Sequence, residues 1–148
     1  MDQIPDRIER VIILKAPRER VWRAISQPAE ITKWFGEAEG DFRQGSEVVF
    51  FWDERRHHIP GKVVAVQPPS YFAYLWDMSP GDKDAWSDDL DASLVEFRLE
   101  PVPEGTELTL VESGFSKLPA ARRAKAFEEN TGGWQEELGH LQAYLEGA

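Results

Sequence analysis

The chain has 148 residues, a formal net charge of −10, 41% apolar and 30% charged residues, and no cysteine. This length suits one domain spanning residues 1–148, and a chain of that size buries roughly 70% of the surface its unfolded form exposes. Lacking thiols, it has no disulfide, Cys-ligated zinc or thiol catalysis, and its charge has the wrong sign for the phosphates of nucleic acid or an anionic membrane face.

Met1–Arg10 is polar and carries acids, so it does not read as a signal peptide. No apolar run approaches the ~20 residues of a membrane helix, so a soluble, cytoplasmic protein is expected. Arg7–Lys15 is rich in Val and Ile and reads as a strand, but both its faces are apolar and periodicity does not say which is buried. Pro17 suits a first helical position, and Arg18–Ser26 places Val21, Trp22 and Ile25 at helical spacing. A second Pro-led helix, Pro28–Phe35, stops at Gly36.

From Gly40 to Gly114 the pattern is that of β-structure. A short strand near Glu37–Phe42 precedes strands at Glu47–Trp52 and His57–Gln67, and Pro68-Pro69-Ser70 breaks the latter. Tyr71–Asp77 alternates Phe72, Tyr74 and Trp76 on one face. Ala92–Glu100 alternates Val95, Phe97 and Leu99, and Thr106–Ser113 alternates Leu108 and Leu110, with a turn at Pro103-Glu104-Gly105. Consecutive strands joined by short turns predict an antiparallel meander. Met78–Asp91 is a long acidic loop, expected to be disordered or solvated rather than to act as a lid.

Ala120, Ala124, Phe127, Thr131, Trp134, Leu138, Leu141 and Leu145 recur at helical spacing. The stripe keeps its phase across Gly132-Gly133, which predicts one long helix over Pro119–Glu146, thinned at the glycines so as to leave room beside Trp134.

No nucleotide-binding or nucleophile-elbow string occurs, so no cofactor is expected. His57 and His58 point to opposite faces of a strand, and Glu137 with His140 reads as a solvated helical pair, so no metal site is expected either. Glu112 continues the phase of Leu108 and Leu110, which carries a carboxylate onto the apolar face. It either meets solvent at the strand end or serves as a polar anchor or acid/base, with Tyr74 or His57 assisting.

The opening strand, then Ala16-Pro17 with Val21-Trp22, then Trp34-Phe35-Gly36, resembles the N-terminal half of the START-like (SRPBCC) superfamily. Thr109–Phe115, Gly133-Trp134 and the Leu138, Leu141, Leu145-Glu146 pattern resemble the branch homologous to the C-terminal domain of the activator of the heat-shock-protein-90 ATPase. The resemblance runs from Ile8 to Glu146. It implies an α+β helix-grip fold, with a curved antiparallel sheet around a long C-terminal helix and two short helices after the first strand. It also implies a cavity that takes a small apolar or amphipathic molecule, or, in some relatives, a cyclisation or dehydration carried out there. Chaperone contact as a stress-response accessory protein is a further implication of the family name.

The aromatic alternation facing the helical stripe then nominates a lining of Trp34, Phe50, Trp52, Phe72, Tyr74, Trp76, Phe97, Leu110, Trp134, Leu138 and Leu141, with Glu112 as the polar contact. With Phe50 and Trp52 inward, Val49, Phe51, Val64 and Val66 fall on the outer face, where an apolar strip would favour a homodimer.

Overall fold

The computed structural model describes residues 6–78, 85–87 and 90–147. Much of the acidic loop therefore lies outside the described residues. Seven antiparallel strands form one sheet in the order β1-β7-β6-β5-β4-β3-β2. They are β1 (Arg7–Leu14), β2 (Glu37–Glu39), β3 (Glu47–Trp52), β4 (His57–Gln67), β5 (Tyr71–Asp77), β6 (Ala92–Val102) and β7 (Gly105–Ser113). Helices α1 (Arg18–Ser26) and α2 (Pro28–Trp34) follow β1, and α3 (Ala120–Glu146) closes the chain. This is the α+β helix-grip arrangement expected from the sequence. No helix among the described residues is long and apolar enough to cross a membrane.

Alternation sets the inner face of the sheet. Phe72, Tyr74 and Trp76 are buried, as are Val95, Phe97 and Leu99 on β6 and Leu108 and Leu110 on β7. In β1 the ambiguity resolves in favour of Ile8 and Leu14, while Val11 stays 54% and Ile13 37% exposed on the outer face. Phe50 is inward and Phe51 outward, where the Arg55 guanidinium covers its ring at 3.8 Å and His58 stacks at 5.9 Å. The outer strip is shorter than expected. A bulge between Val63 and Ala65 shifts the alternation, so Val66 pairs with Phe72 and packs against the core.

Pro28 occupies the first turn of α2, but Pro17 is the residue before α1, its carbonyl accepting from the amides of Arg20 and Val21. The Trp34 indole donates to the Ala24 carbonyl at 2.8 Å and locks the two helices into a corner. The β6–β7 hairpin is tighter than the sequence suggested. Pairing continues to Val102 opposite Gly105, leaving only Pro103 and Glu104 in the turn. Gly105 holds φ +144°, and a Cβ there would stand 2.2 Å from the Leu14 carbonyl oxygen, so no other residue fits. Thr106, a polar residue on the buried face, is satisfied by donating to the Ala16 carbonyl at 2.7 Å.

The helix α3 runs unbroken for 27 residues, about 40 Å at 1.5 Å per residue. Its buried stripe is Ala126, Trp134, Leu138 and Leu141. Ala120 and Ala124, expected on that stripe, are exposed, and this end of α3 packs on the 3-10 turn Phe115–Lys117 through Phe127. Phe127 meets Phe115 there edge-to-face at 5.4 Å. The other end of α3 is tied down by Glu146 accepting from the Lys15 amide at 2.8 Å and by the Tyr144 hydroxyl donating to Glu30 at 3.0 Å.

A Cβ at Gly132, an exposed position, would meet nothing within 4 Å. Gly132→Ala is therefore expected to raise stability by about 0.5–1 kcal/mol through helix propensity alone. Urea unfolding checks this, with an unchanged m-value expected.

Candidate functional site

The inward phase of β7 delivers Glu112 to the middle of the domain, where the residue is 0% exposed. It does not meet solvent at the strand end. Register places Trp76 opposite Ser93, and Glu112 opposite Val95 one strand further on. The Trp76 indole thus donates to Glu112 Oε2 at 2.8 Å and the Ser93 hydroxyl to the same oxygen at 2.5 Å. From α3, the Trp134 indole donates to Oε1 at 2.7 Å, and the Asn130 amide reaches both oxygens at 3.1 and 3.0 Å.

The carboxylate is an acceptor satisfied by four side chains from β5, β6 and α3. Among the described residues no cation lies within ion-pair distance of it. Its lone-pair directions, about four in all, are filled, so it has none left for a substrate proton.

Above this carboxylate opens a cleft of about 190 Å³ between one end of the sheet and α3. Phe35, Trp52, Ile59, Trp76 and Trp134 form its apolar surface, and Glu129, Asn130, Gly133 and Glu137 bring α3 to its mouth. Asn130, Gly133, Trp134 and Glu137 share one helical face by their spacing of three and four. A Cβ at Gly133 would meet nothing within 4 Å, so the glycine leaves that stretch of wall open. Phe35 stacks on Trp134 at 5.4 Å with an interplanar angle of 12°, and on Trp76 at 5.8 Å. The Trp52 indole is anchored by its bond to the Phe35 carbonyl at 2.9 Å.

Of the residues nominated from sequence, Trp52, Trp76 and Trp134 line this cleft, and Glu112 sits one layer behind them. Trp34, Phe50, Tyr74 and Phe97 border a separate interior void of about 10 Å³, at most the room of one water. Phe72, Leu110, Leu138 and Leu141 are packed into the solid core. Of the nominated lining, the part that meets open volume lies at one end of the helix–sheet interface.

Phe35, Ile59, Glu129, Asn130 and Glu137 complete the lining without having been nominated. Asn130 and Glu137 were within reach of the helical phase, being polar positions next to Trp134 on the inward face. Phe35 was not, because its place depends on the α1–α2 corner.

Glu137 is no solvated surface acid. Its side chain is 18% exposed, and the His140 Nδ1 lies 2.7 Å from Oε1 on the outer side. Burial raises its pKa above the usual carboxylate range, against the pull of the His140 and Trp52 contacts. Burial above all, then the charges of Glu112 and Glu137, hold the Tyr74 phenol well above its ordinary pKa, so it stays neutral. His57 is exposed on β4. Among the described residues no cluster of three or more metal-ligating side chains occurs.

Residues 15–146 match the family model described as activator of Hsp90 ATPase homolog 1-like protein. The chain belongs to this family. No curated protein matches it. Among solved structures, this member of the Hsp90-ATPase-activator-like family is similar to protein MLL2253 from Mesorhizobium loti, with 25% identity and a TM-score of 0.80 over 96% of this chain and 98% of that one. It is also similar to CalU16 from Micromonospora echinospora, with 24% identity and a TM-score of 0.70 over 95% of this chain and 74% of that one. DynU16, a protein in the dynemicin biosynthetic locus, gives 22% identity and a TM-score of 0.77 over 96% of this chain and 48% of its own. The two less identical structures speak to the fold, which is START-like in all of them.

Proposed function

We propose that this Hsp90-ATPase-activator-like domain binds a small molecule with a flat apolar portion in the cleft between Phe35, Trp52, Trp76, Trp134 and α3. The observation that carries the reading is an open, ring-walled space at one end of the core. The family and fold are consistent with ligand-binding or cyclase-like roles, and the saturated hydrogen bonding of Glu112 favours binding over acid/base chemistry.

Size limits the guest. A cavity of about 150 Å³ holds one benzene, so the cleft of about 190 Å³ takes a single ring with a short substituent. A larger molecule would extend through the mouth past Glu129 and Glu137. At roughly 0.5 kcal/mol per non-hydrogen atom, a ten-atom fragment binds with a Kd on the order of 0.2 mM.

Titration with indole, followed through the tryptophan indole N–H resonances, tests this. Trp52, Trp76 and Trp134 are expected to shift with saturation, while Trp22, which packs on Phe72 at 6.2 Å, and Trp34 in the helical corner stay in place. Indole and a panel of monosubstituted benzenes leaving all of these unmoved at millimolar concentration would remove the proposal.

A further inference from the structure

Resting on that reading, we infer that the preferred guest is a cation: a tertiary or quaternary ammonium carried on a ring-sized apolar body. The hydrogen-bonding capacity left on the cleft surface leads to this. Every side-chain donor in the lining is already engaged. Trp52 donates to the Phe35 carbonyl, Trp76 and Trp134 to Glu112, and Asn130 to Glu112 with Met78 Sδ also in reach at 3.4 Å. An anionic or acceptor-rich guest therefore finds nothing to accept from. What remains among the described residues is ring surface, the Ile59 side chain, the Glu129 carboxylate and that of Glu137, one oxygen of which faces His140, with no Lys or Arg in the lining.

Glu112 supplies a second, independent reason. It is a fully buried acid that receives only neutral donors, two of them the indoles that wall the cleft. Hydrogen bonds polarise the groups they link, so an indole N–H bonded to a carboxylate carries extra electron density on its ring. Such rings attract a cation more strongly than free indoles do. The same cation would add to the contact that His140 makes with Glu137 from one side, where a neutral guest would only bury that carboxylate further. A quaternary ammonium is weakly hydrated and asks for no hydrogen bonds, so it suits a surface that offers ring faces and diffuse negative charge.

The test compares three probes of one shape at fixed ionic strength: benzyltrimethylammonium, its carbon isostere neopentylbenzene, and phenylmethanesulfonate. Indole N–H shifts of the intact protein give the affinities. The cation is expected to bind about tenfold more tightly than the isostere, and the sulfonate not measurably. Glu137→Gln should reduce the cation preference, the ratio of cation to isostere affinity, by roughly three- to tenfold. Should that variant fold poorly, Glu129→Gln at an exposed position is expected to lower the preference in the same direction. Equal affinity for cation and isostere, or tighter binding of the sulfonate, overturns the charge inference while leaving the cleft as a binding site. Binding of none of the three overturns both.

Discussion

Glu112→Ala is expected to destabilise the domain by about 4 kcal/mol, a fall of roughly 8–16 °C in Tm for a chain of this size. The expectation follows from what the carboxylate holds. Two indole N–H groups, the Ser93 hydroxyl and the Asn130 amide converge on it with little solvent access. Removing the acceptor strands those donors and opens a hole among Trp76, Trp134 and Ser93, and each buried unsatisfied group costs about 1–3 kcal/mol. Hydration of the new hole recovers part of that sum, which is why the total stays below four full penalties. Glu112→Gln keeps the volume and one carbonyl but points an amide NH₂ at other donors, so about 2–3 kcal/mol is expected. Urea unfolding with near-ultraviolet circular dichroism measures both. An Ala variant within 1 kcal/mol of the parent would mean that the donors find partners elsewhere and that the β5–β7–α3 network is not what holds this end together.

The second large effect is on binding. Gly133→Leu projects four carbons into the cleft from a helix position where a Cβ meets nothing within 4 Å. Occupying that space should weaken binding of indole or benzyltrimethylammonium by at least about thirtyfold, because the side chain and the guest compete for the same volume. The fold should not suffer. Leucine is a better helix former than glycine by about 0.8 kcal/mol, so stability is expected to stay level or rise. That opposition of signs separates a blocked cleft from a damaged protein. A Leu variant that binds as the parent does would place the site elsewhere on the molecule.

Much of the architecture is legible in the sequence, for physical reasons that differ between elements. The strand β6 announces itself because Glu96, Arg98 and Glu100 alternate with Val95, Phe97 and Leu99, and β5 because a period of two has only one register that hides Phe72, Tyr74 and Trp76 together. The continuity of α3 is legible because a helical stripe keeps phase through two glycines that a loop would have scrambled. In β1 both faces are apolar, so only pairing with β7 reveals that Val11 and Ile13 look outward. The bulge that turns Val66 inward leaves no mark in composition.

The site is less legible than the fold. Phase alone brings Glu112 inward, but its partners come from three elements and depend on the β5–β6 and β6–β7 registers and the docking height of α3. The nominated lining treated the whole inner face as a candidate wall. Packing density decides otherwise, filling the centre with Phe72, Leu110, Leu138 and Leu141 and leaving the cleft at the end where Gly133 withholds a side chain.

The most direct measurement is a pair of crystal structures, free and soaked with benzyltrimethylammonium. An open cleft between Trp52 and Gly133 in the first, and density for the probe's ring and ammonium against Phe35, Trp76 and Trp134 in the second, is the expected result. A free structure in which the Trp52 and Glu137 side chains close over Trp134, with no space left for a ring and the probe absent on soaking, would contradict the account.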